Sequence, residues 1–145
     1  MLPKFSFVRA TSLREALTVL DEKDARIHAG GSDLIGCLRD GVFTADTLLS
    51  LGGISGLSGI TASADGGLKI GAMTTISEIA ENQEIGASFT ALADAAKVVA
   101  SPQLRNQGTI AGNLCQKPRC WYYRGDFDCL RKGGEMCYAY AGENQ

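Results

Sequence analysis

Arg26-Ile27-His28-Ala29-Gly30-Gly31-Ser32-Asp33-Leu34 packs the end of a strand, a glycine pair and the start of a helix into nine residues. Arg26 to Ala29 reads as a short strand, and it runs straight into a glycine pair. Asp33 to Arg39 follows as a short helix, stopped by Gly41 just past its last turn. A strand, a glycine turn and a helix in that order bend the backbone tightly and leave its N–H groups exposed. Those donors, with the first turn of the helix, suit a phosphate, and Ser32 adds a hydroxyl. The loop lacks the lysine and spacing of a Walker A motif and is not G-x-G-x-x-G. Its plain structural alternative is a strand-to-helix connection with Ser32 as the N-cap.

Upstream, Ser12-Leu13-Arg14-Glu15 has the form of a capping box. Leu13, Ala16, Leu17 and Leu20 then continue one apolar helical stripe. Downstream, Thr47-Leu48-Leu49-Ser50-Leu51 reads as a second strand closed by Gly52-Gly53. Residues 1–53 therefore form a small βαβ-like unit. A second unit, 54–114, opens with strand-like Leu57 to Thr61 and Leu68 to Ala72 around the turn Asp65-Gly66-Gly67. One or two helical turns follow at Ser77 to Glu81, then a helix from about Phe89 to Ala100 that Pro102 helps to end. From Leu104 onward the periodicity disappears. Within that region Gly108-Thr109-Ile110-Ala111-Gly112-Asn113 is a second glycine-bearing bend, alone readable as a packed turn. Together, two such bends can grip two phosphates from two sides.

The chain has 145 residues, 45% apolar and 21% charged, as expected of one ordinary domain or two small ones sharing a core. A net charge of −2 argues against general nucleic-acid binding. No apolar run is long enough to span a membrane. The N-terminus carries no secretory pattern, so the expected compartment is the cytoplasm, with export alongside a partner left open. Glycine is high at 18 residues, and four of the five cysteines fall between 115 and 137. An odd cysteine count without an export signal argues against a disulfide framework.

Cys115, Cys120, Cys129 and Cys137 give C-x4-C-x8-C-x7-C, neither the C-x2-C pair of a zinc ribbon nor a ferredoxin run. The spacing points to a metal site without naming the metal. The alternative is a set of unpaired thiols, some buried as small apolar groups. Lys117, Arg119, Arg124, Arg131 and Lys132 lie among the cysteines, and a cationic surround suits an anionic thiolate cluster. Cys37 reads as a buried thiol on the short helix. His28, the single histidine, reads as a strand residue packed beside the glycine loop.

Ile27 to Leu34, taken with Leu104-Arg105-Asn106-Gln107-Gly108-Thr109-Ile110-Ala111-Gly112-Asn113-Leu114, resembles the FAD-binding subunit of the xanthine dehydrogenase and carbon monoxide dehydrogenase family. The resemblance covers essentially the whole chain. It implies an α+β fold of the FAD-binding PCMH type, built from two small α/β subdomains. It places Ile27, His28, Ala29, Gly30, Gly31, Ser32, Asp33 and Leu34, with Thr109, Gly112 and Asn113, around the FAD pyrophosphate. Asp33 would then contribute its backbone N–H, because its carboxylate repels phosphate.

Gln116-Lys117-Pro118-Arg119-Cys120-Trp121-Tyr122-Tyr123 is similar to the start of the inserted loop that holds a 4Fe–4S cluster in 4-hydroxybenzoyl-CoA reductase and certain bacterial aldehyde oxidoreductases. Residues 115–145 would be that cysteine-rich loop, with Cys120, Cys129 and Cys137 as ligands. The family's fourth cysteine comes later in the chain. Either Cys115 replaces it or it is absent from this sequence, and absence is the expectation. The implied role is an oxidoreductase subunit relaying electrons between FAD and partner subunits that carry molybdopterin and 2Fe–2S centres, with an external carrier at the far end. No general acid, base or nucleophile is implied. The family subunit runs about twice this length, so the chain reads as a truncated piece, expected to be inactive alone and to hold FAD weakly. The rival readings are a zinc-stabilised interaction module without flavin and a cysteine redox sensor.

Overall fold

In the computed structural model, residues 1–21 and 24–142 are described. The last three residues of the cysteine-rich segment lie outside them. The first half is built from β1 (Ser6–Arg9), α1 (Leu13–Leu20), β2 (Ala25–His28), α2 (Leu34–Arg39) and β3 (Thr47–Ser50). The three strands form one parallel sheet in the order β1-β3-β2, with Val8 beside Leu49 and Leu49 beside Ile27. A central parallel strand covered on both faces reads as a continuous apolar run, which is why Leu48 and Leu49 are both buried. Leu49 faces Ala10, Ala16 and Val19 on the α1 side. Leu48 faces Leu38 and Ala45, with Phe5, Leu34 and Phe43 around them, on the α2 side.

The sequence points to two strands in this half, and the described residues form three. β1 is only Ser-Phe-Val-Arg and lies on a sheet edge, exposed at all but Val8, so it carries too little pattern to stand out. The start of α1 also differs in detail. Ser12 Oγ accepts from the Glu15 amide (3.2 Å), as a cap should, but the Glu15 carboxylate reaches past Ser12 to the Thr11 N–H (2.8 Å) and hydroxyl (2.9 Å).

The second half opens with the antiparallel hairpin β4 (Ile60–Ala62) and β5 (Leu68–Ile70). Five short helices follow: α3 (Ile76–Glu81), α4 (Gln83–Ser88), α5 (Thr90–Lys97), α6 (Pro102–Gln107) and α7 (Ile110–Leu114). Ile76, Ile79, Ile85, Ala93 and Ala96 form their core, with Ile60, Leu68 and Ile70 of the hairpin packed against it. A full capping box opens α3: Thr75 Oγ1 accepts from the Glu78 amide (3.2 Å), and Glu78 accepts from the Thr75 amide (2.6 Å).

Helix continues past the point where periodicity fades. Pro102 not only follows α5 but opens α6 at its first turn, where a missing N–H costs nothing. The bend at Gly108–Asn113 becomes the start of α7, with Thr109 as its N-cap. Even the cysteine-rich segment contains a helical turn, α8 (Trp121–Arg124), and a 3-10 turn at Leu130–Lys132 ended by Gly133 at φ +99°. Among the described residues no helix is long and apolar enough to cross a membrane.

Candidate functional site

The two glycine-bearing bends, far apart in sequence, meet. A Cβ on Gly30 would overlap the Gln107 carbonyl and stand 3.2 Å from the Gly108 Cα. A Cβ on Gly108 would lie 3.5 Å from Ser32 Oγ, and one on Gly112 would lie 3.8 Å from the Ala29 Cβ. Backbone therefore packs directly on backbone here, and glycine is needed for close approach as well as for turning. Beside this junction lies an open cleft of about 410 Å³, lined by His28, Gly30, Gly31, Ser32, Arg39 and Gln107 among others.

The two bends use their amides differently. Among the described residues, the N–H groups of Gly30, Gly31 and Ser32 donate to no protein acceptor. Those of Ile110, Ala111 and Asn113 are taken by the carbonyls of Thr74 (2.9 Å), Ala72 (3.1 Å) and Thr109 (2.9 Å). The Gly112 amide goes to Thr109 Oγ1 at 3.2 Å. Exposed donors were expected at both bends. They occur at the first, while the second, among the described residues, leaves just the Thr109 amide without a protein acceptor and acts as the wall against which the first is set.

Gly31 adopts φ +73°, and the His28 ring lies over it, with Nε2 2.5 Å from where a Cβ would be. The ring meets Phe7 edge-on at 5.9 Å, and its Nδ1 is buried without a hydrogen-bond partner. Ile27 is half exposed on β2, while Leu34 turns into the core beneath α2. Thr109 is buried, and Asn113 Oδ1 accepts from Gln116 Nε2 at 2.8 Å. Ile35, Gly36, Arg39, Leu104 and Gln107 also line the cleft, and the sequence reading did not single them out. Ser32, Ile35, Gly36 and Arg39 have the three- and four-residue spacing of one helix face. Counting forward from the loop would have found them.

Asp33 does not face the cleft with its carboxylate. It is held by Arg124 of α8, which reaches Oδ1 at 3.1 Å and Oδ2 at 3.2 Å, and by Arg119 at 3.4 Å. Arg124 donates further to Cys37 Sγ (2.6 Å) and to the carbonyls of Pro118 and Lys117 (both 2.8 Å). Bidentate guanidinium–carboxylate pairing is among the strong charge-assisted contacts. Cys37 is fully buried under this pair, and burial, with the nearby Asp33 carboxylate adding to it, pushes its thiol pKa up.

Of the remaining cysteines, Cys120 and Cys129 pack into one apolar cluster with Cys37, Val42 and Tyr123. Cys115 and Cys137 are exposed. Among the described residues no three His, Cys, Asp or Glu side chains come together as a metal-holding group. The arrangement thus suits a dinucleotide phosphate at the glycine loop, whose free amides and Cβ-free backbone fit one.

The chain is similar in sequence and fold to known proteins. The family described as "FAD binding domain in molybdopterin dehydrogenase" matches residues 3–126. The aldehyde oxidoreductase FAD-binding subunit PaoB of Escherichia coli K12 is 33% identical over 95% of this chain and 44% of its own length. The carbon monoxide dehydrogenase medium chain of Hydrogenophaga pseudoflava is 32% identical over 77% of this chain and 39% of its own. Among solved structures, quinoline 2-oxidoreductase from Pseudomonas putida 86 superposes with a TM-score of 0.74 at 35% identity, covering 79% of this chain and 40% of that one. The chain thus spans about two fifths of the length of the curated relatives it matches. It belongs to the FAD-binding domain family of the molybdopterin dehydrogenases, with a mixed α/β fold like that of the carbon monoxide dehydrogenase medium chain.

Proposed function

We propose that this chain is the pyrophosphate-gripping part of an FAD-binding electron-transfer subunit in a molybdenum-containing hydroxylase or dehydrogenase. The carrying observation is the junction at Gly30, where the first bend seats on the Gln107–Gly108 backbone and keeps its own amides free. Preorganised N–H donors favour phosphate oxygens at little reorganisation cost. Ser32 supplies a hydroxyl, and Arg39, on the cleft wall, supplies a guanidinium that is itself paired with Asp40 at 2.8 Å. FAD, when bound, supplies the redox chemistry, and the protein supplies placement and electrostatics. The residues proposed for FAD remain Ile27 through Leu34 with Thr109, Gly112 and Asn113, and on the present geometry Thr109 and Gly112 act by shaping the wall.

The complex would contain a molybdopterin-binding large subunit, a 2Fe–2S small subunit and an external electron carrier. Titration with FAD, followed by flavin fluorescence, tests the reading. Saturable binding that Gly30→Val abolishes supports it, and no binding by the chain or by its assembled complex refutes it.

A 4Fe–4S cluster on Cys120, Cys129 and Cys137 is the finer part of the proposal. The alignment with PaoB, at its 95% coverage, extends over the cysteine-rich segment through Cys137. Cys120 and Cys129 already share one apolar cluster. Cys137, exposed, would have to swing inward from the surface to join them. Anaerobic metal analysis decides it: about four irons per chain with broad visible absorbance supports the cluster, and one zinc without colour favours the interaction-module reading.

A further inference from the structure

Asp33 raises an electrostatic difficulty. It stands in the glycine loop next to Ser32, and an unpaired carboxylate there would oppose a bound diphosphate within one Debye length. The structure answers with two cations, Arg124 and Arg119, both contributed by the cysteine-rich segment. Arg124 and Asp33 are each only 23% exposed, so their pairing is weakly screened by solvent. The same guanidinium holds the carbonyls of Lys117 and Pro118, just ahead of Cys120, and covers Cys37. One side chain thus ties the loop, the helix behind it and the tail together.

We propose that Arg124 is a positioning residue that couples the tail to the phosphate-binding loop. By neutralising Asp33 it conditions the loop for an anionic ligand, and by the same bonds it keeps the tail folded over Cys37. Coupling of this kind is reciprocal: a ligand on the loop tightens the tail by the factor by which the ordered tail tightens the ligand. This inference rests on the flavin reading above, and the test separates the two.

The test compares the wild-type chain, Arg124→Gln, Asp33→Asn and the double variant. Each is titrated with FAD, and Cys37 alkylation by iodoacetamide is followed by mass spectrometry with and without FAD. Arg124→Gln should weaken FAD about tenfold and speed Cys37 alkylation. Asp33→Asn in the Arg124→Gln background should restore affinity to within about threefold of wild type, because the offending charge is gone. It should leave Cys37 unprotected, because the clamp is still missing. FAD should slow Cys37 alkylation in wild type and have no such effect in Arg124→Gln.

Wild-type affinity in Arg124→Gln overturns the coupling while leaving the flavin reading intact. So does a double variant as weak as the single one, since the role would then be structural only. Should circular dichroism show Arg124→Gln unfolded, Arg119→Gln serves instead. It removes an exposed cation from the same carboxylate and should weaken FAD in the same direction by a smaller factor, and an unchanged affinity overturns the proposal. Absence of FAD binding by both the wild-type chain and its assembled complex removes the flavin reading and the coupling together.

Discussion

Gly30 has no room for a single methyl group, because the Gln107 carbonyl occupies the place a Cβ would take. Gly30→Ala must therefore push two backbone segments apart, and overpacking of this kind costs about 1–3 kcal/mol. Gly36 on α2 is the natural control. Nothing lies within 4 Å of its Cβ position, so Gly36→Ala should stabilise α2 by roughly 0.4–1 kcal/mol. Urea midpoints of the two variants should move in opposite directions, and equal shifts would mean the junction is looser than it looks. Cys37 yields a pH prediction. Burial, then the Asp33 carboxylate, raises its folded pKa above the ordinary 9.0 that it regains on unfolding. A raised pKa gives stability that is complete below the unfolded value and is lost as pH climbs through the folded one. Unfolding midpoints should thus decline above about pH 9, and Cys37→Ala should flatten that alkaline slope. An unchanged slope in the variant would show that Cys37 does not ionise on unfolding.

Short elements were legible where a cap or a turn announced them. α1 and α2 each came with a residue that starts or stops a helix, and the β4–β5 hairpin came with Asp65-Gly66-Gly67, where Gly66 sits at φ +83°. α4, α6 and α7 did not show, because five or six residues hold too few apolar positions to declare a helical period. Their stability comes from packing and capping. Asn82 accepts from the Ile85 amide (2.9 Å), Ser101 from Leu104 (3.4 Å) and Thr109 from Gly112 (3.2 Å). Each cap residue was in plain view in the sequence, but its meaning depends on a partner helix that tertiary structure supplies. Thr75, at the reciprocal box that opens α3, gives the measurable case. Thr75→Ala should cost about 1 kcal/mol in a denaturant melt, and a loss near zero would mean that α3 is fixed by Ile76 and Ile79 packing alone.

At the scale of the molecule, the glycine pair, the second bend and the family were readable from residue types and spacing. Their meeting, the inward use of the second bend's amides and the Arg124 clamp were not, because each joins residues dozens of positions apart. That division of labour between the bends leads to a prediction about ligands. Free donors cluster at Gly30, Gly31 and Ser32, so the grip on FAD should fall mainly on its diphosphate. ADP carries that diphosphate without the flavin ring, while FMN carries the ring with a single phosphate. A ligand that binds only the folded chain stabilises it by about 2.7 kcal/mol at a hundredfold excess over Kd, which for a chain of this size is a melting shift of roughly 5–15 °C. FAD and ADP should therefore raise the thermal midpoint comparably at equal concentration, with FMN well behind, and Gly30→Ala should lose both shifts. If FMN stabilises the chain more than ADP does, the ring and not the diphosphate is what the cleft holds, and the free amides of the first bend serve some other anion.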